Sequence, residues 1–340
     1  MVTESTTKDA YISQRSIYDQ RYEAGHYDRR SAVRVLTAER DALHEAMCRV
    51  LRQDPAIRRI NLFDFGYGTG RVTNEFIGSY VHHYAEAKKD LRVVAYDVSS
   101  AGLMKANDAL RSAGFMPDGP LSWSPGNTAG YIVGAVSKME AGITITVTFV
   151  HGHEGQDPNV MRRLALRASD REKFLLTSSW YSGLGHIPGE RLRREYFRQM
   201  GKITSRHGEM IISVSSTGDL AELQREYSDR LGEGTVGGFP IREPGDLIYQ
   251  TELGQSNYFH VFGTELNGHM KAITGRGQYW WVEGIRYPGQ EFAFREAEQA
   301  NYRRVREANN SKRGRIWNAD DYQEFHTVAA FRSPLDPGQR

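Results

Sequence analysis

The chain has 340 residues, 39% of them hydrophobic and 25% charged, with a formal net charge of +2. That length and balance suit one enlarged globular domain, with no apolar run near the roughly 20 residues a membrane helix needs and no global charge for holding nucleic acid. Cys48 is the single cysteine, which excludes an internal disulfide and a cysteine-built zinc site; the N-terminus also lacks the order of a signal peptide, and together these point to the cytoplasm.

In chain order, residues 9–53 read as largely helical. Tyr11, Ile17, Tyr18 and Tyr22, then Val33, Leu36, Leu43 and Met47, recur near a 3.6-residue period, with Gly25 as a break. Ile60–Phe65 is a short apolar run ending in glycines, a buried-strand signal. Residues 70–87 place Val72, Phe76, Tyr80 and Tyr84 every four residues and read as helix. Leu91–Tyr96 is a second strand, and Ser100 is expected to cap a helix to Gly114. Residues 119–140 suggest a loop and an extra strand. Ile143–Val150 alternates β-branched residues and reads as strand. Asp157–Arg167 reads as helix, Phe174–Ser179 as the fourth strand, Glu190–Arg206 as helix and Glu209–Ser215 as the fifth strand. Strands alternating with helices over 60–215 predict an α/β fold with a parallel sheet covered on both faces. Beyond it, 219–231 and 258–273 are expected to be helical, Asp246–Thr251 a strand, and 291–313 a charged helix. Tyr279–Arg286 and Glu324–Phe331 close the chain as an antiparallel strand pair.

The most informative stretch is Asn61-Leu62-Phe63-Asp64-Phe65-Gly66-Tyr67-Gly68-Thr69-Gly70-Arg71. It lies at a strand end and opens a helix, where ligands bind in open α/β sheets and glycines let backbone approach a ligand closely. A phosphate-binding P-loop would need Lys-Ser or Lys-Thr after the last glycine, and Arg71 stands there instead. A dinucleotide fingerprint would need a third glycine where Arg71 lies. The next strand ends in Ala95-Tyr96-Asp97-Val98-Ser99, which puts Asp97 near the offset at which a carboxylate accepts from ribose hydroxyls. Strand, glycine loop, helix, strand and aspartate in that order form a nucleoside-binding unit.

With these pieces in hand, the chain resembles the class I S-adenosylmethionine-dependent methyltransferases. FDFGYGTG at 63–70 is similar to the family's first motif and VVAYDVS at 93–99 to its second. The segment 175–214, with His186, Ile187 and Gly208, is similar to the stretch between the fourth and fifth strands. The resemblance spans about residues 55–220 and extends weakly to 331. It implies a Rossmann-like, mostly parallel seven-stranded sheet with helices on both faces and the last strand antiparallel. It implies S-adenosyl-L-methionine as cofactor and S-adenosyl-L-homocysteine as product. By it, Asp64, Gly66, Gly68 and Gly70 lie along the methionine moiety, Asp97 at the ribose and His153 or Glu154 at the adenine, with Val98 and Ser178 completing the cofactor-binding set. It also implies the domain plan: an N-terminal helical cap over 1–53, a methyltransferase domain over 54–331 with insertions near 119–140, 231–257 and 287–318, and a tail at 332–340. Lys173 and Phe174 stand where many relatives carry an acidic residue, a departure that bears on the substrate more than on the fold.

The methyl acceptor is expected at loops on the carboxyl ends of the strands. His186 is either a general base or a histidine capping the next helix, Tyr181 a substrate contact or part of the cleft wall, and His260 a second acid–base candidate or a hydrogen-bonded core residue. Tyr18, Tyr22 and Tyr27 read either as a lid on the cofactor, whose sulfonium suits aromatic faces, or as a helix packing its aromatic stripe on the sheet. His151-Gly152-His153 invites a metal, but no carboxylate–histidine signature accompanies it, and no metal is assigned. The basic residues between Arg303 and Arg315 sit among glutamates and read as a solvated helix rather than a nucleic-acid stripe. The expectation is a small-molecule methyltransferase of bacterial specialised metabolism, acting on an amino-acid-like or aromatic acceptor without a membrane partner, with a homodimer possible. The competing readings are a methyltransferase for tRNA or protein, and a non-catalytic or altered adenosyl-binding protein.

Overall fold

The computed structural model describes residues 16–24, 33–123, 130–152, 157–180, 183–215, 235–236, 239–240, 245–250, 256–262, 280–285 and 326–332. In chain order these form helices α1 (residues 16–23) and α2 (Val33–Gln53), strand β1 (Arg59–Phe65), α3 (Arg71–Tyr84), β2 (Asp90–Asp97), α4 (Ser100–Ser112), β3 (Met116–Pro117), β4 (Tyr131–Glu140) and β5 (Ile143–His151). They continue with α5 (Pro158–Ala168), β6 (Phe174–Ser179), α6 (Glu190–Ile203), β7 (Thr204–Ser215), β8 (Thr235–Val236), β9 (Phe239–Pro240), β10 (Asp246–Gln250), β11 (Ser256–His260), β12 (Trp280–Ile285) and β13 (His326–Arg332).

The main sheet runs β12-β13-β7-β6-β1-β2-β5-β4-β3. β1 pairs in parallel with β2 on one side and β6 on the other, β5 extends β2, and β7 extends β6. β13 runs antiparallel to β7 and to β12. Without β3 and β4, the order of the remaining seven is that of the class I methyltransferase fold, six strands in one direction and the penultimate position reversed. β4 and β3 are an antiparallel addition beside β5. The tight turn between β4 and β5 has both Ala141 (φ 51°) and Gly142 (φ 76°) left-handed, the twist a two-residue hairpin favours.

Both faces of the central strands are covered, and six of the seven β1 residues are buried, the polar Asn61 and Asp64 among them. Leu43, Met47 and Val50 of α2, Phe76 and Tyr80 of α3 and Leu103 and Leu110 of α4 fill one face. Met161 of α5 and Tyr196, Phe197, Met200 and Ile203 of α6 fill the other. Arg49 fastens α2 to the sheet through a two-pronged contact with the buried Glu209 carboxylate of β7, at 2.8–3.0 Å. No helix among the described residues is long and apolar enough to cross a membrane.

Several boundaries differ from the sequence expectations. The cap of α4 is Ser99, whose Oγ accepts from the Gly102 backbone N–H, so the helix begins one residue beyond its cap rather than after Ser100. β7 starts at Thr204, at the end of α6, five residues before the expected strand. The expected helix over 258–273 is overturned at its start: Ser256–His260 is a strand, paired antiparallel with β10, because each residue finds a backbone partner across the hairpin. The rest of that helix, like those expected at 219–231 and 291–313, lies outside the described residues.

Candidate functional site

The centre of the sheet holds its topological switch point, where β2 and β6 leave β1 in opposite directions. The chain leaves β1 there through Gly66, Gly68 and Gly70, with φ of 75°, 54° and 73°. A side chain at any of the three would force a strained left-handed conformation, which is why this turn is built from glycine. The Gly66 and Tyr67 N–H groups donate to the Tyr96 carbonyl at 2.9 and 3.0 Å, so the loop is stitched to the end of β2. Asp97, next in line, accepts from the Gly68 N–H at 2.7 Å and from the Ser99 N–H at 2.7 Å. Its burial raises the carboxyl pKa to about 6, against the lowering effect of the Ser99, Gly68 and Val98 backbone donors.

Asp64 lies beneath the loop. Thr73 Oγ1 donates to one carboxylate oxygen at 2.5 Å and Ser178 Oγ to the other at 3.1 Å. Burial still dominates and pushes the carboxyl up to about 7. Ser178 therefore buttresses Asp64 from the neighbouring strand, where the β1–β6 register sets the two residues opposite each other. Sequence reasoning missed Thr73, the partner from α3.

α1 lies over this floor. Asp19 accepts from Ser99 Oγ at 2.5 Å and from the Ala101 N–H at 3.2 Å, adding an acceptor at the start of α4. The Tyr22 ring rests against Gly68 and Gly102: a Cβ at Gly68 would collide with its hydroxyl, and one at Gly102 would come within 3.0 Å of its ring. Beside it a cavity of about 30 Å³ is lined by Tyr22, Asp64, Gly66, Tyr67, Gly68, Thr69, Arg71, Val72 and Trp180. Trp180, 6% exposed, keeps its indole N–H buried without an acceptor, and Ser179 Oγ beside it is likewise buried without a partner among the described residues. Neither orphan was foreseen; nothing local marks a tryptophan whose N–H stays unpaired.

The loop after β6 returns over the same point. Gly183 packs on Gly66, with 3.6 Å between its Cα and the position of a Gly66 Cβ. His186 follows in a short 3₁₀ turn, Gly183–His186. Its ring meets Tyr18 edge-on at 5.1 Å and Phe259 of β11 at 4.9 Å. Nδ1 lies 3.1 Å from the Tyr258 carbonyl oxygen. Burial, aided by the Arg21 charge, lowers the imidazole pKa to about 4, so the ring is neutral at physiological pH.

Of the residues singled out from the sequence, Tyr22, Asp64, Gly66, Gly68, Gly70 and Asp97 meet around the glycine loop, with Val98 at the end of β2. Tyr18 joins this group to His186. His260 sits elsewhere: 1% exposed, in the hairpin core, its Nδ1 is 2.8 Å from Asp246 Oδ1. That is the hydrogen-bonded core arrangement, and Asp246 was absent from the sequence candidates. Tyr27, His153, Glu154 and Tyr181 lie outside the described residues. Among the described residues, no cluster of three or more His, Cys, Asp or Glu is placed to hold a metal ion.

No protein-family model matches the chain, and no curated protein matches it. Solved structures similar in shape include an S-adenosylmethionine-dependent methyltransferase from Methanosarcina mazei, at 14% identity and a TM-score of 0.44, over 84% of this chain and 98% of that one. Another is the Burkholderia thailandensis 1,6-didemethyltoxoflavin-N1-methyltransferase with S-adenosylhomocysteine bound, at 12% identity and a TM-score of 0.44, over 94% and 87%. A third is the CcbJ methyltransferase from Streptomyces caelestis, at 13% and 0.39, over 87% and 89%. The strand order, not these distant likenesses, establishes the fold.

Proposed function

We propose that this chain is an S-adenosylmethionine-dependent methyltransferase that acts on an oxygen, nitrogen or carbon nucleophile of a small molecule. The observation that carries the reading is the unit at the switch point: three left-handed glycines after β1, tied through Gly68 to the carboxylate that ends β2. The residues suit the cofactor. Two buried carboxylates and the rings of Tyr18, Tyr22 and Trp180 favour a cationic ligand. The orphan Trp180 N–H offers a donor for the carboxylate at the cofactor's amino-acid end. Asp64 and Gly66 to Gly70 would lie along that end, with Ser178 acting through Asp64, and Asp97 with Val98 would hold the ribose. Bound there, the cofactor supplies an electrophilic methyl group on a sulfonium.

The protein's own part is to position the acceptor, exclude water and take up a proton where the acceptor releases one. His186 is the base in this reading, neutral and set between Tyr18 and Phe259. Tyr22 covers Gly68 and Gly102. A site roofed by a helix favours a small acceptor over a macromolecule. Isothermal calorimetry with S-adenosylmethionine and S-adenosylhomocysteine tests the reading. Binding of both, lost in Asp97→Ala, is the expected result; no binding of either by the wild-type protein would refute it.

A further inference from the structure

The β10–β11 hairpin stands outside the main sheet, yet it is built onto the turn that carries His186. Gly185 is the point of contact: a Cβ there would come within 2.8 Å of the His260 carbonyl and 3.1 Å of the Phe259 ring. One residue later, His186 Nδ1 meets the Tyr258 carbonyl at 3.1 Å. A carbonyl oxygen only accepts, so Nδ1 carries the hydrogen and Nε2 the lone pair.

The Tyr258 carbonyl is held by the far end of its own side chain. The Tyr258 hydroxyl donates to Asp246 Oδ1 at 2.5 Å and accepts from Arg193 Nη1 at 2.8 Å. The same Arg193 nitrogen donates to the carbonyl of Ile187, the residue after His186, at 3.0 Å. His260 Nδ1 completes the cluster on Asp246. The contacts close a ring: His186 to the Tyr258 backbone, through the Tyr258 side chain to Arg193, and back through Ile187 to His186. Arg193 is fully buried and Asp246 nearly so, and charges so deeply buried contribute little net stability against apolar residues of the same volume. What the cluster does supply is fixed geometry on both sides of one imidazole.

We propose that Tyr258, held by Arg193 and Asp246, is a positioning residue for methyl transfer: its carbonyl locks His186 as the Nδ1–H tautomer and makes Nε2 the proton-accepting atom. This rests on the reading of His186 as the base. In the step it serves, the acceptor bonds to the methyl carbon, the carbon–sulfur bond breaks with its electron pair left on sulfur, and the acceptor's O–H or N–H proton passes to Nε2. The resulting imidazolium keeps its Nδ1–H bond to Tyr258, which favours the charged form, and then releases the proton to water.

Long-range ¹H–¹⁵N NMR of the full chain with labelled histidine tests this, with His186 assigned by loss of its signals in His186→Gln. The expected wild-type spectrum shows a pyrrole-like Nδ1 and a pyridine-like Nε2 at neutral pH. Tyr258→Phe keeps the carbonyl and the ring but loses both hydroxyl bonds, and is expected to average the two nitrogens. Should Tyr258→Phe not fold, Gly185→Ala separates the hairpin from the turn without touching a buried charge and is expected to give the same averaging. An Nε2–H tautomer in the wild type, or a wild-type pattern retained in the folded variants, would overturn the inference. Calorimetry with S-adenosylhomocysteine on the same samples separates the two levels. Absence of wild-type binding overturns both readings, whereas wild-type binding with an Nε2–H or averaged His186 in the wild type overturns only this one.

Discussion

Replacing Trp180 by phenylalanine isolates one hydrogen atom of the site. Among the described residues the wild-type indole N–H is buried without an acceptor, a state that costs about 1–3 kcal/mol. Removing it relieves that cost, while the lost indole volume opposes the gain, so stability without ligand should stay nearly constant. With ligand the balance differs. A hydrogen bond to a carboxylate contributes roughly 1.5–3 kcal/mol, or about a tenfold to hundredfold change in dissociation constant. The assay is calorimetry with two ligands: S-adenosylhomocysteine, which carries the amino-acid carboxylate, and 5′-methylthioadenosine, which lacks it. The variant should bind the first about tenfold to a hundredfold more weakly and the second unchanged. Equal weakening of both would mean that Trp180 acts by packing alone, and no weakening of either would mean that its N–H meets no ligand; both results refute the assignment.

Asp64 makes stability pH-dependent, and the sign follows from its raised pKa. The folded protein holds this proton more tightly than the unfolded chain, so the carboxyl carries no penalty below about pH 4 and a growing one as pH rises to about 7. At roughly three pKa units the penalty is on the order of 4 kcal/mol. Urea midpoints of Asp64→Asn should therefore gain on the wild type between pH 4 and 7 and hold that gain above it; a difference independent of pH would contradict the burial argument. Gly68→Ala should cost about 1–2 kcal/mol from its left-handed backbone alone and should push Tyr22 off the loop, seen as faster proteolysis within α1. Protection of α1 equal to wild type would show that Tyr22 does not rest there. Arg49→Ala removes the two-pronged guanidinium contact to the buried Glu209 carboxylate and should cost about 3 kcal/mol in thermal unfolding, with Glu209→Gln in the same chain restoring part of it. A loss below about 1 kcal/mol would place the fastening of α2 in its apolar face.

The parts legible in the sequence are those encoded locally. The apolar runs of β1, β2, β5 and β6 announce strands buried on both faces, and the glycines with Asp97 fall within one strand–helix–strand unit. Tyr22 was singled out from the run of tyrosines before the first strand and His186 from the segment after the fourth, and the structure sets Tyr22 against Gly68 and His186 against Tyr18. The hairpin and its cluster resist such reading. Asp246 and His260 stand fourteen positions apart on two strands, and Arg193 lies on a helix more than fifty residues earlier. Tyr258 reaches His186 through its carbonyl, an atom every residue has, so no side-chain pattern marks it. One signal was present and passed over: Arg193 falls in the buried stripe of α6 with Tyr196, Phe197 and Met200, where a cation needs a buried partner.

The two strands added beside β5 also decide how this molecule meets its neighbours. A sheet ending in a long free strand invites another chain to pair with it. Here the sheet tapers to Met116–Pro117, and Pro117 has no N–H to offer an incoming strand. That position disfavours backbone pairing between copies at this border. The exposed Met116 and Met139 stand there as flexible apolar contacts.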